Sequence, residues 1–406
     1  MNDTAPKIRK DLEFFPVQHE GRQLILIRDQ TGLVPEGKAV AVQLYQIMAL
    51  LDGTRSLRDL QMELMRQRGG LLVGTNEIQE ILAYLDDSFL LDSERFRAAR
   101  DDVVARFSAM KVRPCAHCGK AYPNDPMELR GRLDNILSEQ SPPPSEPEGK
   151  IQALVAPHID LTAGFKVYSR VYQMLKYIQP ARVILLGVGH HMSGDLFSLT
   201  NKDFETPMGA IKSDPATVKR LIEKGRGAIA ADDFEHRSEH SIEFQTIFLR
   251  HILKKDSFTI VPILCGSLHA CLPEYSRDAY LAKAGPFLKE LREIVMDPEK
   301  NTLLMAGVDF SHIGPKFGHE MPAEYLENQS EPHDRRLLKY LSVLDADCFW
   351  EESIKVNDRF NVCGFSALAC LLEVIPSCRG EVLDYQVWHE EATRSAVGFA
   401  GVVFTS

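Results

Sequence analysis

The sequence of 406 residues predicts an α/β protein: a central mixed sheet flanked by helices, preceded by a small winged-helix-like domain. From residue 151 onward, short apolar runs alternate with amphipathic helical stretches, which is the pattern of an α/β fold. Four of these runs end in His, Asp or Glu. In the first hundred residues, two strand-like runs and three helical stretches predict the smaller domain.

The four runs with polar ends predict a functional site. Most of their residues are apolar or β-branched, as expected of strands that are buried in a sheet. Open α/β sheets build their sites at the carboxyl ends of such strands, so we expect the polar residues to meet there. The runs and the residues that follow them are Ile151–Pro157 with His158 and Asp160, Arg182–Val188 with His190 and His191, Thr302–Val308 with Asp309, Ser311 and His312, and Val382–Trp388 with His389, Glu390 and Glu391.

The other elements of the larger domain follow from local patterns. Asp214 and Pro215 have the residue types of a helix N-cap and of the first helical position. An amphipathic stretch at 241–253 comes directly after Glu239 and His240. Further helices are predicted at 165–178, 275–294, 333–344 and 364–375, and further strands at 258–264 and 396–405.

The small domain is predicted from residue 21 to about residue 100. Residues 23–28 are strand-like, and residues 40–51 have the apolar spacing of a helix. Ser56 has the residue type of an N-cap for a second helix. A third helix is predicted at 76–86, and a closing strand or wing at 89–92.

Composition excludes several classes of protein. A net charge of −10 and a pI near 5.8 argue against a protein built mainly to bind nucleic acid. The first ten residues lack the apolar stretch of a signal peptide, and no apolar run has the length of a membrane span. Eight dispersed cysteines do not resemble a disulfide framework, so we expect a cytoplasmic protein.

Two local features allow more than one interpretation. Cys115 and Cys118 form a Cys-x-x-Cys motif around His117, which suits a redox or zinc site or two ordinary loop residues. No second cysteine pair lies nearby. The Pro- and Glu-rich segment 138–149 has the composition of a linker or of a long surface loop.

The order of motifs in the small domain resembles the PqqD-like domain of peptide-modifying systems. The matching stretches are Asp52–Leu60, Glu77–Leu85 and Phe89–Leu91. The resemblance implies that residues 1–110 bind a peptide or protein partner by adding a strand to a sheet edge. An unrelated winged helix that only packs on the larger domain is the alternative.

The larger domain resembles the Memo family, whose fold is similar to that of the class III extradiol dioxygenases. The resemblance covers residues 112–406 and makes the Pro-rich segment a loop within the domain. The motifs stand in the family order: Arg113-Pro114 with Tyr122-Pro123, Ala156-Pro157-His158, Gly187-Val188-Gly189-His190-His191, Glu239-His240-Ser241-Ile242-Glu243 and Asp309-Phe310-Ser311-His312.

This resemblance implies a metal site. His158 and His190 match the metal-binding histidines of the family, and His389 falls where animal Memo proteins carry a metal-binding cysteine. We therefore expect His389 as the third ligand, with Glu390 or Glu391 as the alternative. Imidazole suits iron, zinc and copper, and the resemblance favours Fe(II), with Zn or Cu as alternatives.

Further polar residues are expected around the metal. Asp309 and His312 match residues that line the cavity, and Asp309 is expected to orient a ligand histidine. His191, His240 and His312 are candidates for acid or base, because imidazole titrates near neutral pH. His191 also suits a hydrogen-bonded position beneath the site, and His240 a helix start. The remaining histidines (117, 251, 269, 319 and 333) are expected to be surface or structural residues, and Cys265 to be a buried, inert thiol.

The resemblances together imply a non-haem iron enzyme of redox or dioxygenase type. Memo-like proteins often belong to bacterial AmmeMemoRadiSam systems, so a radical SAM protein and an AMMECR1-like protein are the partners that the resemblance implies. The sequence has no radical SAM cysteine triad, so that chemistry would come from another chain. The alternatives are a non-catalytic accessory protein that binds a metal and a peptide, and a metal-dependent hydrolase.

Overall fold

The computed structural model describes residues 4–139, 146–192 and 194–406. The chain forms two compact units, residues 1–109 and 110–406. The sequence-based boundaries, 1–110 and 112–406, lie within two residues of these. Residues 140–145, the centre of the Pro-rich segment, lie outside the described residues.

The first unit is a three-stranded antiparallel sheet followed by helices. The sheet has the order β1-β2-β3, and its apolar face packs on the helices through Ile27, Leu60 and Leu85. The elements are β1 Leu12–His19, β2 Arg22–Asp29, β3 Ala39–Ala41, α1 Val42–Met48, α2 Leu57–Gln67, α3 Thr75–Asp87 and α4 Glu94–Ser108. Ser56 and Asp59 form a capping box that starts α2, which agrees with the N-cap expected at Ser56.

Two strands of this unit differ from expectation. The sequence did not predict β1, and residues 89–92, expected to form a closing strand or wing, do not form a strand. Phe89 adopts a left-handed backbone conformation with φ +55°, which interrupts any extended run. Only an isolated bridge joins Leu91 to Ile8.

A buried arginine holds the first unit together. Arg9 lies 2.6 Å from a carboxylate oxygen of Asp29 and 2.7 Å from one of Asp11. It also donates to the Phe89 carbonyl at 2.8 Å, and its guanidinium lies 3.9 Å from the centre of the Phe96 ring. Because a buried charge is costly unless it is paired, these contacts fix the ends of β1 and β2 beside the loop that follows α3.

The second unit contains the mixed sheet that the sequence predicts. The eight-stranded sheet has the order β11-β13-β5-β10-β6-β9-β7, with β12 paired along β13. Its strands are β5 Ile151–Ala156, β6 Arg182–Val188, β7 Phe197–Leu199, β9 Thr259–Cys265, β10 Thr302–Gly307, β11 His312–Ile313, β12 Arg379–Glu390 and β13 Ser395–Thr405, while β4 Val112–Arg113 and β8 Asp203–Phe204 form a separate pair. The strands β5, β10, β6 and β9 are parallel, and β7 and β13 run antiparallel to their neighbours.

Helices cover both faces of this sheet. They are α5 Pro126–Ser138, α6 Phe165–Tyr172, α7 Pro215–Lys224, α8 His240–Ile252, α9 Leu268–Cys271, α10 Arg277–Val295, α11 Glu327–Ser342, α12 Ala346–Val356 and α13 Phe365–Val374. Successive residues of β6 enter different cores, Ile184 with α7, α10 and α13, and Leu185 with α5, α6 and α8. The carboxyl ends of the parallel strands are left at one edge between these layers. No helix in the described part of the chain is long and apolar enough to cross a bilayer.

Candidate metal centre

Three strand ends bring His158, His190 and Asp309 together. They follow β5, β6 and β10, which are adjacent and parallel with β10 in the middle. The ring centres of His158 and His190 are 5.1 Å apart. The backbone N–H of His158 donates to Asp309 Oδ1 at 3.0 Å, and His158 Nε2 lies 3.6 Å from Asp309 Oδ2.

Two glycines allow helix α8 to start directly above these strand ends. A Cβ on Gly187 would lie 2.7 Å from Ser241 Oγ, and one on Gly307 would lie 2.5 Å from the Ser241 carbonyl oxygen. Ser241 Oγ accepts from the Val188 N–H at 3.0 Å and donates to its carbonyl at 3.1 Å. This close approach places Glu239 and His240, at the start of α8, beside the histidines.

Glu239 connects the start of α8 to His190. Its side chain is the N-cap of the helix and accepts from the backbone N–H groups of His240 and Ser241. It also contacts Nδ1 of His190 at 3.0 Å. Burial opposes ionisation of Glu239, but the charges and hydrogen bonds of His190 and His240 hold its pKa well below the usual range.

Cys363 supplies a third donor beside the two histidines. It lies in the loop before α13, and its Sγ is 3.5 Å from His158 Nε2. The ligand atoms of His158, His190 and Cys363 all lie within 4.8 Å of one another. Burial, with Asp309 nearby, raises the pKa of the Cys363 thiol well above its ordinary value. A bound cation would stabilise the thiolate form of Cys363 in this buried position.

The orientation of both rings fits metal binding. Nδ1 of His158 lies 3.0 Å from the Gly307 carbonyl, and Nδ1 of His190 contacts Glu239, so a metal would be bound through the Nε2 atoms. Burial and the nearby His240 and His190 lower the pKa of His158 well below its ordinary value, which favours the neutral ring that a metal needs. The Gly307 carbonyl thus contacts the Nδ1 side of the His158 ring, and Asp309 contacts the backbone N–H of the same histidine.

His389 does not join this cluster, which corrects the expected third ligand. Its side chain is 53% exposed and its Nε2 lies 2.8 Å from a carboxylate oxygen of Glu327. The neighbouring Trp388 and Glu390 line the cavity. Because strand side chains alternate between faces, His389 on β12 points the other way. Glu390 pairs with Lys316 at 2.8 Å, on the wall and outside the three-donor cluster.

The structure brings two of the three acid–base candidates to the site. The His240 ring centre is 5.0 Å from those of both His158 and His190. The Nδ1 of His312 lies 2.9 Å from the Phe310 carbonyl, and burial lowers the pKa of His312 to about 4. His191 is exposed in the turn after His190 and is not among the residues that line the cavity.

The donors open into a cavity of about 840 Å³. Its wall combines aromatic side chains with polar groups, including Phe244, Phe317, Trp388, Asp309, His240 and His312. His117 and His269 also lie on this wall, contrary to the surface or structural role expected for them. His269 stacks on Tyr275 with ring centres 3.7 Å apart. Burial raises the pKa of Asp309 to about 7, against the hydrogen bond from the His158 N–H.

Of the other residues that were expected to be structural, three histidines are not among the residues that line the cavity, whereas Cys265 lies on its wall. His251 pairs with Asp134 at 2.7 Å, and His319 Nε2 contacts a backbone carbonyl at 2.8 Å. His333 is buried beside Glu352 at 2.9 Å. Cys265 is buried and lines the cavity.

The opening segment of the second unit is anchored beside the centre. Arg113 forms a buried ion pair with Glu243 of α8 and donates to the Glu239 carbonyl at 2.8 Å. Glu243 also accepts from the backbone N–H groups of Ala116 and His117 at 3.0 and 2.9 Å. These bonds hold His117 on the cavity wall, where its ring centre is 5.7 Å from that of His240.

Cys363 and the two roles of Glu239 escaped the sequence analysis. Ligands were predicted at strand ends, whereas Cys363 lies in the loop before α13. The available indication was that Cys363 stands directly before the helix predicted at 364–375. For Glu239, the indication was its position directly before an amphipathic helix, where a carboxylate is typical of an N-cap.

Comparisons with known proteins agree with this architecture. Residues 113–403 match the Memo-like protein family. A MEMO1 family protein of Aquifex aeolicus is 31% identical over 408 residues, which span 98% of this chain and 99% of that protein. Relatives from Methanopyrus kandleri and Nitrosopumilus maritimus, both MEMO1 family proteins, are 26% and 24% identical and span 71% and 72% of this chain and 97% and 99% of their own lengths. The chain therefore belongs to the Memo-like protein family.

Proposed function

We propose that this protein is a metal-dependent redox enzyme in which His158, His190 and Cys363 hold one transition metal. The observation that carries the proposal is the convergence of these three donors, from three separate elements, within 4.8 Å at the floor of a large cavity. Three protein ligands leave positions for water and substrate, which is typical of catalytic and not of structural sites.

The donor set narrows the choice of metal. Two imidazoles and a thiolate suit iron, zinc and copper, whereas magnesium and calcium prefer oxygen ligands. Fe(II) is our first choice because of the resemblance to the extradiol dioxygenases, and zinc and copper are the competing occupants. A bound metal of this class would supply Lewis-acid or one-electron chemistry to a substrate in the cavity.

The surrounding residues have separable tasks. Glu239 holds the His190 ring through Nδ1, and the Gly307 carbonyl holds His158 in the same way. His240 and His312 lie on the wall where each can hold or move a proton of a bound substrate. Aromatic side chains on the same wall exclude water around the reacting groups.

Metal analysis of protein purified without oxygen tests this proposal. We expect about one transition metal per chain, and its loss in His158→Ala and His190→Ala, because each removes a ligand. Full occupancy in the double variant would rule the site out. A bound redox-inert zinc in the native protein would favour the hydrolase, and a bound metal without turnover would favour an accessory role.

We further propose that residues 1–110 bind a peptide or protein partner, as part of a system with radical SAM and AMMECR1-like proteins. The support is that β1, Leu12–His19, is an edge strand of its sheet, and an edge strand offers backbone groups to an added strand. Co-purification with these partners, lost on deletion of the first unit, is the test. Binding that survives the deletion would contradict it.

A further inference from the structure

The pair Cys115 and Cys118 stands apart from the metal centre. Their Sγ atoms are 2.9 Å apart, and both side chains are partly exposed. Neither residue belongs to the three-donor clusters among the described residues. The two sulfur atoms are already in contact, and a disulfide therefore needs only a small approach.

The loop that carries the pair is held in one conformation. The N–H groups of the two residues between the cysteines, Ala116 and His117, both donate to Glu243. Gly119 adopts φ +77°, and its N–H donates to the Tyr122 carbonyl at 2.8 Å. A rigid loop keeps the sulfur atoms together, which lowers the entropic cost of joining them.

Exposure distinguishes this pair from the other cysteines. Cys265 and Cys370 also interact, but both side chains are almost fully buried. Cys348 and Cys378 are partly exposed and provide single thiols for comparison. Among the described cysteines, the 115–118 pair alone combines a sulfur–sulfur contact with partial exposure of both residues.

We propose that Cys115 and Cys118 are a redox-active dithiol beside the cavity wall, oxidised to an intramolecular disulfide by exchange with low-molecular-weight disulfides. The bond would close a ring around His117, whose side chain lines the cavity. The oxidation state of the pair is thereby linked to one wall of the metal centre. The proposal does not depend on which metal binds.

The exchange runs in two steps. The thiolate of one cysteine bonds to one sulfur of the external disulfide and releases one thiolate. The other cysteine, whose sulfur lies 2.9 Å away, then loses its proton and attacks the first cysteine sulfur, releasing the second thiol. Burial raises the pKa of the Cys115 thiol, which slows its reaction with an external disulfide. The protein loses two electrons and two protons, and the external disulfide becomes two thiols.

Peptide mapping of the full chain tests the proposal. Metal-free protein is equilibrated with reduced and oxidised glutathione at graded ratios, alkylated, and digested. We expect the peptide containing 115–118 to lose two hydrogens and both alkylation sites together, and to recover both with excess reduced glutathione. Persistent alkylation of both sulfurs at the most oxidising ratio would overturn the proposal. Stable glutathione adducts on Cys115 or Cys118, in place of the disulfide between them, would overturn it as well.

Two variants identify the partners. Cys118→Ser should abolish the two-hydrogen loss and leave Cys115 reacting slowly with glutathione. Cys378→Ser, which removes a single thiol of similar exposure, should leave the loss unchanged. A two-hydrogen loss that persists in Cys118→Ser would show that Cys115 pairs elsewhere. The mapping of the native chain remains decisive if a variant fails to fold.

Discussion

The Sγ of Cys363 lies 3.5 Å from Nε2 of His158, although 205 residues separate the two in the chain. The contact depends on the close fit of the loop before α13 against the end of β10. The Gly364 N–H donates to the Asp309 carbonyl at 3.0 Å, and a Cβ on Gly364 would lie 2.6 Å from that oxygen. Tertiary packing, and not a local motif, therefore completes the donor set.

The first prediction separates Cys363 from His389. Cys363→Ala should lower metal affinity by more than about 100-fold, because loss of a ligand costs more than loss of its supporting contacts. His389→Ala should keep native affinity, since His389 pairs with Glu327 on the surface. Competition titrations with Zn²⁺ and Co²⁺ measure the metal affinity of each variant. Native affinity in Cys363→Ala together with a large loss in His389→Ala would restore the three-histidine site.

The second prediction concerns the two contacts of Glu239. Glu239→Ala should lower metal affinity about 10- to 100-fold through His190 and cost about 1 kcal/mol of stability through the lost cap. Asp345→Ala is the matched control, because Asp345 caps α12 but lies away from the cavity. It should cost similar stability and leave metal affinity unchanged. Equal affinities in the two variants would contradict the role of Glu239.

The third prediction is a pH dependence of metal affinity. The pKa of the Cys363 thiol is well above its ordinary value without metal, so binding as a thiolate releases its proton. Affinity should therefore rise by about tenfold per pH unit between about pH 6 and 8. Cobalt titrations across this range provide the slope. The slope of log affinity against pH counts the protons released per metal bound. In Cys363→Ser this number should fall by one, and an unchanged slope would argue against a thiolate ligand.

The fourth prediction concerns Asp334, a buried residue of α11. It accepts from the Tyr385 hydroxyl at 3.0 Å and from the Ser311 N–H at 3.3 Å, and so supports the loop between Asp309 and His312. Burial raises its pKa to about 7. The folded state thus retains a proton that the unfolded state loses near pH 4.

Stability should consequently fall as pH rises from about 4 to 7, by up to about 1.4 kcal/mol per pH unit from this group. In Asp334→Asn that contribution disappears, so the variant should lose less stability between pH 5 and 8 than the native protein. Urea unfolding of metal-free protein measures the difference. Asp345→Asn should leave the dependence of stability on pH unchanged over the same range. Hydrogen bonds from Cys348 lower the pKa of Asp345, so its carboxylate stays ionised between pH 5 and 8 in both the folded and the unfolded state. Equal slopes in native and Asp334→Asn protein would contradict the prediction.

The fifth prediction is that residues 1–109 fold alone, because they contain their own apolar core and the buried Arg9 contacts. On addition of an extended peptide partner, chemical shifts should change along Leu12–His19. Changes confined to the larger unit in the full chain would argue against partner binding by β1.

Much of the sheet was predictable because its strands are continuous apolar runs. Ile151–Ala156, Arg182–Val188 and Thr302–Gly307 are buried almost throughout, and each delivers its polar residue to the same edge. This positions His158, His190 and Asp309 from sequence alone. Such an inference works where a residue follows its strand directly, since the strand end fixes its place.

The face of a strand residue is harder to predict. In β12, a shift of register between Val382 and Asp384 changes which residues face each side. Trp388 and Glu390 consequently line the cavity while His389 faces Glu327. An error of one residue in alternation moves a side chain from the site to the surface. Loop residues such as Cys363 carry no periodic pattern at all.

The position of Trp388 gives the protein an optical probe of its own cavity. The chain has two tryptophans, and Trp350 is buried in the core while Trp388 lies on the cavity wall. In Trp350→Phe, tryptophan fluorescence would come from Trp388 alone and would respond to any metal or small molecule that enters. Substrates can then be sought by titrating compounds and recording emission, before any reaction has been observed.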